Sequence, residues 1–131
     1  MKVLVPVDGS DCSFRALEFA TEFVTRYEGS LHVVHITDQR GEMTKAILER
    51  AEGVLADAEI DAHPEVVTDT RLSNARYANQ VGKDILELAE AEDYDHIIMG
   101  HHGTGRIGRA VLGSASETVV RAAEQPATII P

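Results

Sequence analysis

KVLVPVDGSDCSFRAL, residues 2–17, holds a strand, a turn and the start of a helix in one short stretch. KVLVPV is a brief apolar run rather than an alternation, which marks a buried strand. Asp8-Gly9-Ser10-Asp11 ends it with turn chemistry and a helix N-cap. Leu17, Ala20, Val24 and Tyr27 then recur at helical spacing, and Gly29 is the expected stop. Strand, turn and helix in that order are the opening unit of an α/β domain.

The same unit recurs along the chain. LHVVHI (31–36) reads as a second strand. Met43, Ile47, Ala51, Val54, Leu55 and Ala58 form the apolar stripe of a second helix, with Pro64 at its exit. EVVTDTRL (65–72) is a third strand, polar enough to sit at an edge. Val81, Ile85 and Leu88 give a third helix; SNARYANQ (73–80) reads as a loop or as that helix's early start. HIIMG (96–100) is the fourth strand, Ser114 to Glu124 the fourth helix, and ATII (127–130), after Pro126, the fifth strand. Such alternation predicts a parallel sheet covered by helices on both faces and joined by right-handed crossovers.

Composition agrees. Hydrophobic residues are 44% of the 131, yet aromatics are only 5% and Trp is absent. The core must therefore be Val, Ile, Leu and Ala, which suits helices on a sheet. The net charge of −10, with Lys2, Lys45 and Lys83 the only lysines, disfavours nucleic acid as a partner. Two readings of that acidity stand: colloidal solubility, or adaptation to a high-salt habitat. A single cysteine excludes an internal disulfide, and Cys12 is expected to be a small buried hydrophobe. No apolar run reaches the length of a signal segment or membrane span, so a cytoplasmic location is expected.

The chemistry concentrates in GHHGTGRIGRAVLGSASETVV, residues 100–120. Glycines let backbone N–H groups approach an anion without a side chain in the way. Ser114-x-x-Glu117 reads as a capping box that starts a helix, whose free amides and dipole attract anions. Arg106 and Arg109 add positive charge in a chain short of it. The plain alternative is a mobile connection with two solvated arginines, although loops this long in small domains are more often functional. In open parallel sheets ligands sit beyond the carboxyl ends of the strands, where both this loop and Asp8-Gly9-Ser10 fall.

Named phosphate motifs narrow the reading. There is no Walker A sequence. Gly103, Gly105 and Gly108 spell G-x-G-x-x-G, but after the fourth strand, with the next helix several residues later and no acid at the expected distance. Gly100-x2-Gly103-x9-Gly113-Ser114, together with VLVPVDGS, LHVVHITD, YDHIIMGHHG and PATIIP, resembles the ATP-binding type of the universal stress protein family over nearly the whole chain.

That resemblance implies a single domain over residues 1–131 with a Rossmann-like, adenine nucleotide alpha hydrolase-like fold. Its parallel sheet would have five strands in the order 3-2-1-4-5, with two helices on each face. It implies ATP as ligand, with Mg2+. Pro6, Val7 and Asp8 would line the adenine and ribose end, and Ile36 would be an apolar wall for the base. Met99 and Gly100 would stand beside the ribose. His102 and Gly103 would approach the phosphates, and Gly113, Ser114, Ala115 and Ser116 would cradle them. It also implies a homodimer paired through the last strand.

Alternatives remain at this level. Asp8 also reads as a turn residue preceding a helix, although the resemblance favours a ligand contact. A slow ATP hydrolase would need a water-orienting residue, for which only a loop histidine offers itself. A nucleotide-independent dimer is a further reading. A phosphorelay receiver wants a lysine after the fourth strand, and none is there, although Asp8, Asp11 and Asp69 are present. The pair His101-His102 lacks a recognisable third ligand, so no side-chain metal site is expected. His32, His35, His63 and His96 read as ordinary sheet or surface residues.

Overall fold

A computed structural model describes residues 1–73, 79–103 and 112–131. The strands are β1 (Lys2–Pro6), β2 (Ser30–Thr37), β3 (Glu65–Thr68), β4 (His96–Gly100) and β5 (Ala127–Ile130). The helices are α1 (Asp11–Arg26), α2 (Glu42–Asp57), α3 (Gln80–Ala91) and α4 (Ser114–Ala122). The five strands form one parallel sheet in the order β3-β2-β1-β4-β5.

Strand side chains point alternately to the two faces, and both faces are covered. Val3, Val5, Val7, Leu31 and Val33 pack under α1 and α2, through Leu17, Ala20, Ile47, Ala51 and Leu55. Leu4, Val34, Ile97 and Met99 pack under α3 and α4, through Ile85, Ala89 and Val119. Two-sided burial is why the central strands read as unbroken apolar runs. Each fully buried Leu, Ile or Val contributes roughly 1.5–3 kcal/mol.

Some local expectations shift. Met43 and Tyr27 are 75% and 63% exposed, because each lies at a helix end where the apolar stripe has already rotated off the sheet. The third strand stops at Thr68 instead of running to 72. Asp69 turns its carboxylate back onto Arg71, and a 3-10 turn spans Thr70–Ser73. The left-handed residue closing α1 is Glu28 (φ 52°), not Gly29. Gly29 is needed for another reason: a Cβ there would stand 2.8 Å from the carbonyl oxygen of Met1. Glu59 (φ 58°) and Asp93 (φ 52°) repeat the device after α2 and α3. Of the 73–80 segment, residues 74–78 lie outside the described residues, and α3 begins at Gln80.

One local feature opens the sheet. Val7 N–H donates to the Val34 carbonyl at 2.8 Å, so by strand alternation the backbone nitrogen of Pro6 faces β4. Proline has no hydrogen there to give. The β1–β4 register accordingly runs only Val3↔His96 and Leu4↔Ile97, while β1–β2 continues to Pro6↔Val34. The two central strands part at their carboxyl ends, where the strand order reverses. Among the described residues no helix is long and apolar enough to cross a membrane.

Candidate functional site

Beyond that parting lies a cavity of about 350 Å³. Pro6, Val7 and Asp8 line it from the end of β1, Ile36 from β2, and Met99 and Gly100 from β4. His102 and Gly103 follow, and Gly113, Ser114, Ala115 and Ser116 close it from the start of α4. All the site residues expected from the sequence thus meet in one hollow. Ser13, Val81 and Ile85 line it too and escaped the sequence reading. Val81 and Ile85 carry the signal of an ordinary helix stripe, which does not distinguish core from cavity wall.

A more open hollow of about 710 Å³ lies by Ser30–Val34 of β2 and residues 60–65. It is at the other end of the strands. The smaller cavity is the candidate because ligands of open parallel sheets bind at the carboxyl ends, at the switch in strand order.

Asp8 serves two ends at once. Its Oδ1 accepts from Ser10 N at 2.9 Å and from Ser10 Oγ, fixing the turn into α1. Ser10 is the N-cap of α1 and accepts from Ser13 N, while Ser13 Oγ accepts from Asp8 N at 3.3 Å. Its Oδ2 lies against Gly103, 3.1 Å from where a Cβ would stand. The turn reading therefore accounts for one carboxylate oxygen, and the other faces the loop.

The start of α4 differs from the expected capping box. The N-cap is Gly113, not Ser114, and among the described residues no side chain caps the helix. Glu117 pairs instead with Arg121 at 2.9 Å, one turn on. Ser116, 1% exposed, donates its hydroxyl to the His101 carbonyl at 2.6 Å and to the Gly113 carbonyl at 3.1 Å. Gly113 N–H donates to the same His101 carbonyl at 2.8 Å. The helix is thus stapled to the end of β4 by a buried serine. Its first-turn amides have no acceptor within the helix, and Ser114, Ala115 and Ser116 of that turn line the cavity. An uncapped N-terminus of this kind attracts anions.

The spaced glycines turn out to be contact points. A Cβ on Gly100 would stand 2.7 Å from Cys12 Sγ and 2.9 Å from Ser13 N, so β4 ends flat against the first turn of α1. A Cβ on Gly113 would stand 2.9 Å from His102 Cα. Gly105, Gly108, Arg106 and Arg109 lie outside the described residues.

Asp69 is not among the cavity residues. Its carboxylate grips Arg71 at 2.9 Å, and the hydrogen-bonded guanidinium holds it well below the usual carboxylate range. Asp84, 3.5 Å from the same guanidinium, is pushed up by burial, although Gln80 hydrogen-bonds it at 2.7 Å. These groups brace β3's end against α3. His35 and His96 are sheet residues as expected: His35 Nδ1 meets the Val7 carbonyl at 2.8 Å, and His96 Nε2 meets Thr128 Oγ1 at 2.8 Å.

The family model of the universal stress protein family matches residues 1–131. A universal stress protein of Thermus aquaticus is 35% identical over 138 residues, covering 98% of this chain and 96% of its own. A solved universal stress protein in complex with cAMP superposes with TM-score 0.75 at 23% identity, covering 100% of this chain and 96% of that one. One from Archaeoglobus fulgidus in complex with dAMP gives TM-score 0.74 at 21% identity, covering 100% and 98%. With the sheet order and the whole-length match in agreement, the chain belongs to the universal stress protein family.

Proposed function

We propose that this protein binds an adenine nucleotide, ATP accompanied by Mg2+, in the cavity between β1, β4 and α4. The observation that carries the reading is convergence. An apolar wall (Ile36, Val7, Met99), a carboxylate oxygen on Asp8 and the uncapped N-terminus of α4 meet in a hollow of about 350 Å³. Nucleotides need those three surfaces: one for the base, one for the polar edge of base or ribose, one for phosphate. The cavity lies within the range of small-molecule sites, about 300–1,000 Å³. The cAMP and dAMP complexes of structurally similar proteins support an adenine ligand. Binding serves a stress-response role in which nucleotide alters partner contacts, without dedicated catalysis. Two copies pair through β5, which ends the sheet order and presents an outer edge.

The test is direct. Protein purified without added nucleotide is denatured, and the released ligand is identified by chromatography. In parallel, the thermal midpoint is followed with Mg-ATP, dAMP and cAMP. Ligand at about a hundred times its Kd adds about 2.7 kcal/mol of stability. No midpoint rise at millimolar nucleotide, with no co-purified adenine compound, rejects the proposal. Sedimentation that shows only monomer at micromolar concentration rejects the pairing through β5.

A further inference from the structure

His101 follows the end of β4 with its ring sealed inside. It is 7% exposed, yet neither ring nitrogen has a hydrogen-bond partner among the described residues. An imidazole ring nitrogen, whether it carries an N–H or a lone pair, loses its hydration when buried, and leaving it unpaired there is unfavourable. The nucleotide reading does not use this ring; what His101 gives the cavity rim is its carbonyl. A buried polar group without a partner calls for an explanation, and a bound ion is one that also accounts for its neighbours.

Two neighbours complete the chemistry. Cys12 Sγ and one ring nitrogen each of His101 and His102 lie within 4.8 Å of one another. The two imidazole rings stand 4.1 Å apart at 69°. Tetrahedral donors at about 2.3 Å for sulfur and 2.0 Å for nitrogen are about 3.5 Å from one another, so small side-chain rotations close the set. His102 Nδ1–H donates to the Gly103 carbonyl, which selects the tautomer with a lone pair on Nε2. An outer hydrogen bond of that kind orients ligating histidines generally. Cys12 and His102 also line a cleft of about 420 Å³ beside Ser10 and Asp11, which gives an ion and a water a way in.

We propose that Cys12, His101 and His102 bind a zinc-type cation, with water in the fourth position. The Cys12 S–H, which donates to the His102 carbonyl at 3.1 Å, releases its proton to solvent as the thiolate takes the metal. The imidazoles contribute neutral lone pairs, so the metal and its protein ligands carry a charge of +1. That charge stands next to Gly103, at one end of the nucleotide cavity, in a chain whose net charge is −10. Thiolate and imidazole donors select against Mg2+, so this ion is distinct from one carried in by ATP. It would pin the 101–103 segment to α1 whether or not nucleotide is present.

The full chain is stripped with a chelator and titrated with Zn2+ against a chromophoric chelator, with nucleotide absent. Co2+ then serves as a spectroscopic probe. Expected are a single equivalent bound per chain, a thiolate-to-cobalt charge-transfer band, and a rise of the thermal midpoint with Zn2+. Cys12→Ser abolishes the band, and both Cys12→Ser and His101→Asn weaken Zn2+ by about tenfold or more. Absence of stoichiometric binding overturns the proposal. So does binding that lacks the thiolate band, or an affinity unchanged in Cys12→Ser, which assigns the metal to surface carboxylates or other histidines. If His101→Asn fails to fold, the band and Cys12→Ser decide alone. Because nucleotide is absent throughout, neither outcome depends on the nucleotide proposal.

Discussion

Replacing Gly113 by alanine tests whether the glycine loop works by packing or merely by lacking side chains. The backbone at Gly113 has φ −69°, open to any residue, so the substitution adds no conformational strain. Its effect is steric. The new Cβ would stand 2.9 Å from His102 Cα and 3.4 Å from Gly103 N, while carbon–carbon contacts favour about 3.5 Å or more. The shortfall is ~0.6 Å, and the obstacle is main chain, which cannot rotate aside as a side chain does. Either the 102–103 segment or the start of α4 moves. Overpacking of this kind costs ~1–3 kcal/mol. In a chain of this size each kcal/mol lowers the thermal midpoint by about 4 °C. The same shift separates the Gly103 amide from the first-turn amides of α4. On the proposed nucleotide reading, losing one hydrogen bond to a charged phosphate, ~1.5–3 kcal/mol, weakens binding roughly 10–150-fold. Gly103→Ala is the milder contrast, since among the described residues its Cβ meets Asp8 Oδ2 at 3.1 Å, a side-chain atom rather than main chain. Thermal unfolding and calorimetric titration with Mg-ATP measure both. A Gly113→Ala protein with wild-type midpoint, and Kd within about twofold of wild type, refutes this reading of the glycines.

Three further outcomes follow from the same coordinates. Gly82→Ala places a Cβ 2.6 Å from Thr118 Cβ where α3 meets α4, and denaturant unfolding should show a loss of ~1–3 kcal/mol. Gly53, inside α2 with nothing among the described residues within 4 Å of its would-be Cβ, should gain ~0.5–1 kcal/mol on replacement by alanine, read the same way. Burial lowers the pKa of His96 from the ordinary 6.5, so between 6.5 and that lower value the unfolded chain binds the proton and the native one does not. Stability from this residue is complete above pH 6.5 and declines as the pH falls through that window. A pH series of midpoints should slope less in His96→Gln than in the wild type between about pH 7 and 5; equal slopes count against it.

Much of the fold was legible because burial leaves a local trace. The runs KVLVPV, LHVVHI and HIIMG mark strands covered on both faces, and turn residues separate them from helical stripes. Helix ends were less legible. Met43 and Tyr27 match the period yet lie where the helix has passed the sheet edge. The end of β3 depended on Asp69 finding Arg71, a side-chain pairing that periodicity does not record. The cavity residues of β1, β4 and α4 were readable as a group because their motif spacing is that of a known family. Ser13, Val81 and Ile85 were not, since wall and core present the same residue types.

From its sequence alone this chain is determined as an alternating α/β domain with a glycine-rich stretch after its fourth strand. Those properties rest on periodicity, turn chemistry and spacing within a few dozen residues. Tertiary structure decided the rest. It set the missing donor of Pro6 against β4, parting the central strands. It made Gly100 and Gly113 points of main-chain contact rather than bare gaps. It brought Cys12 to a histidine pair 90 residues away. Contacts between distant segments follow from how the crossovers bring strand ends and helix starts together, and no local pattern encodes that meeting.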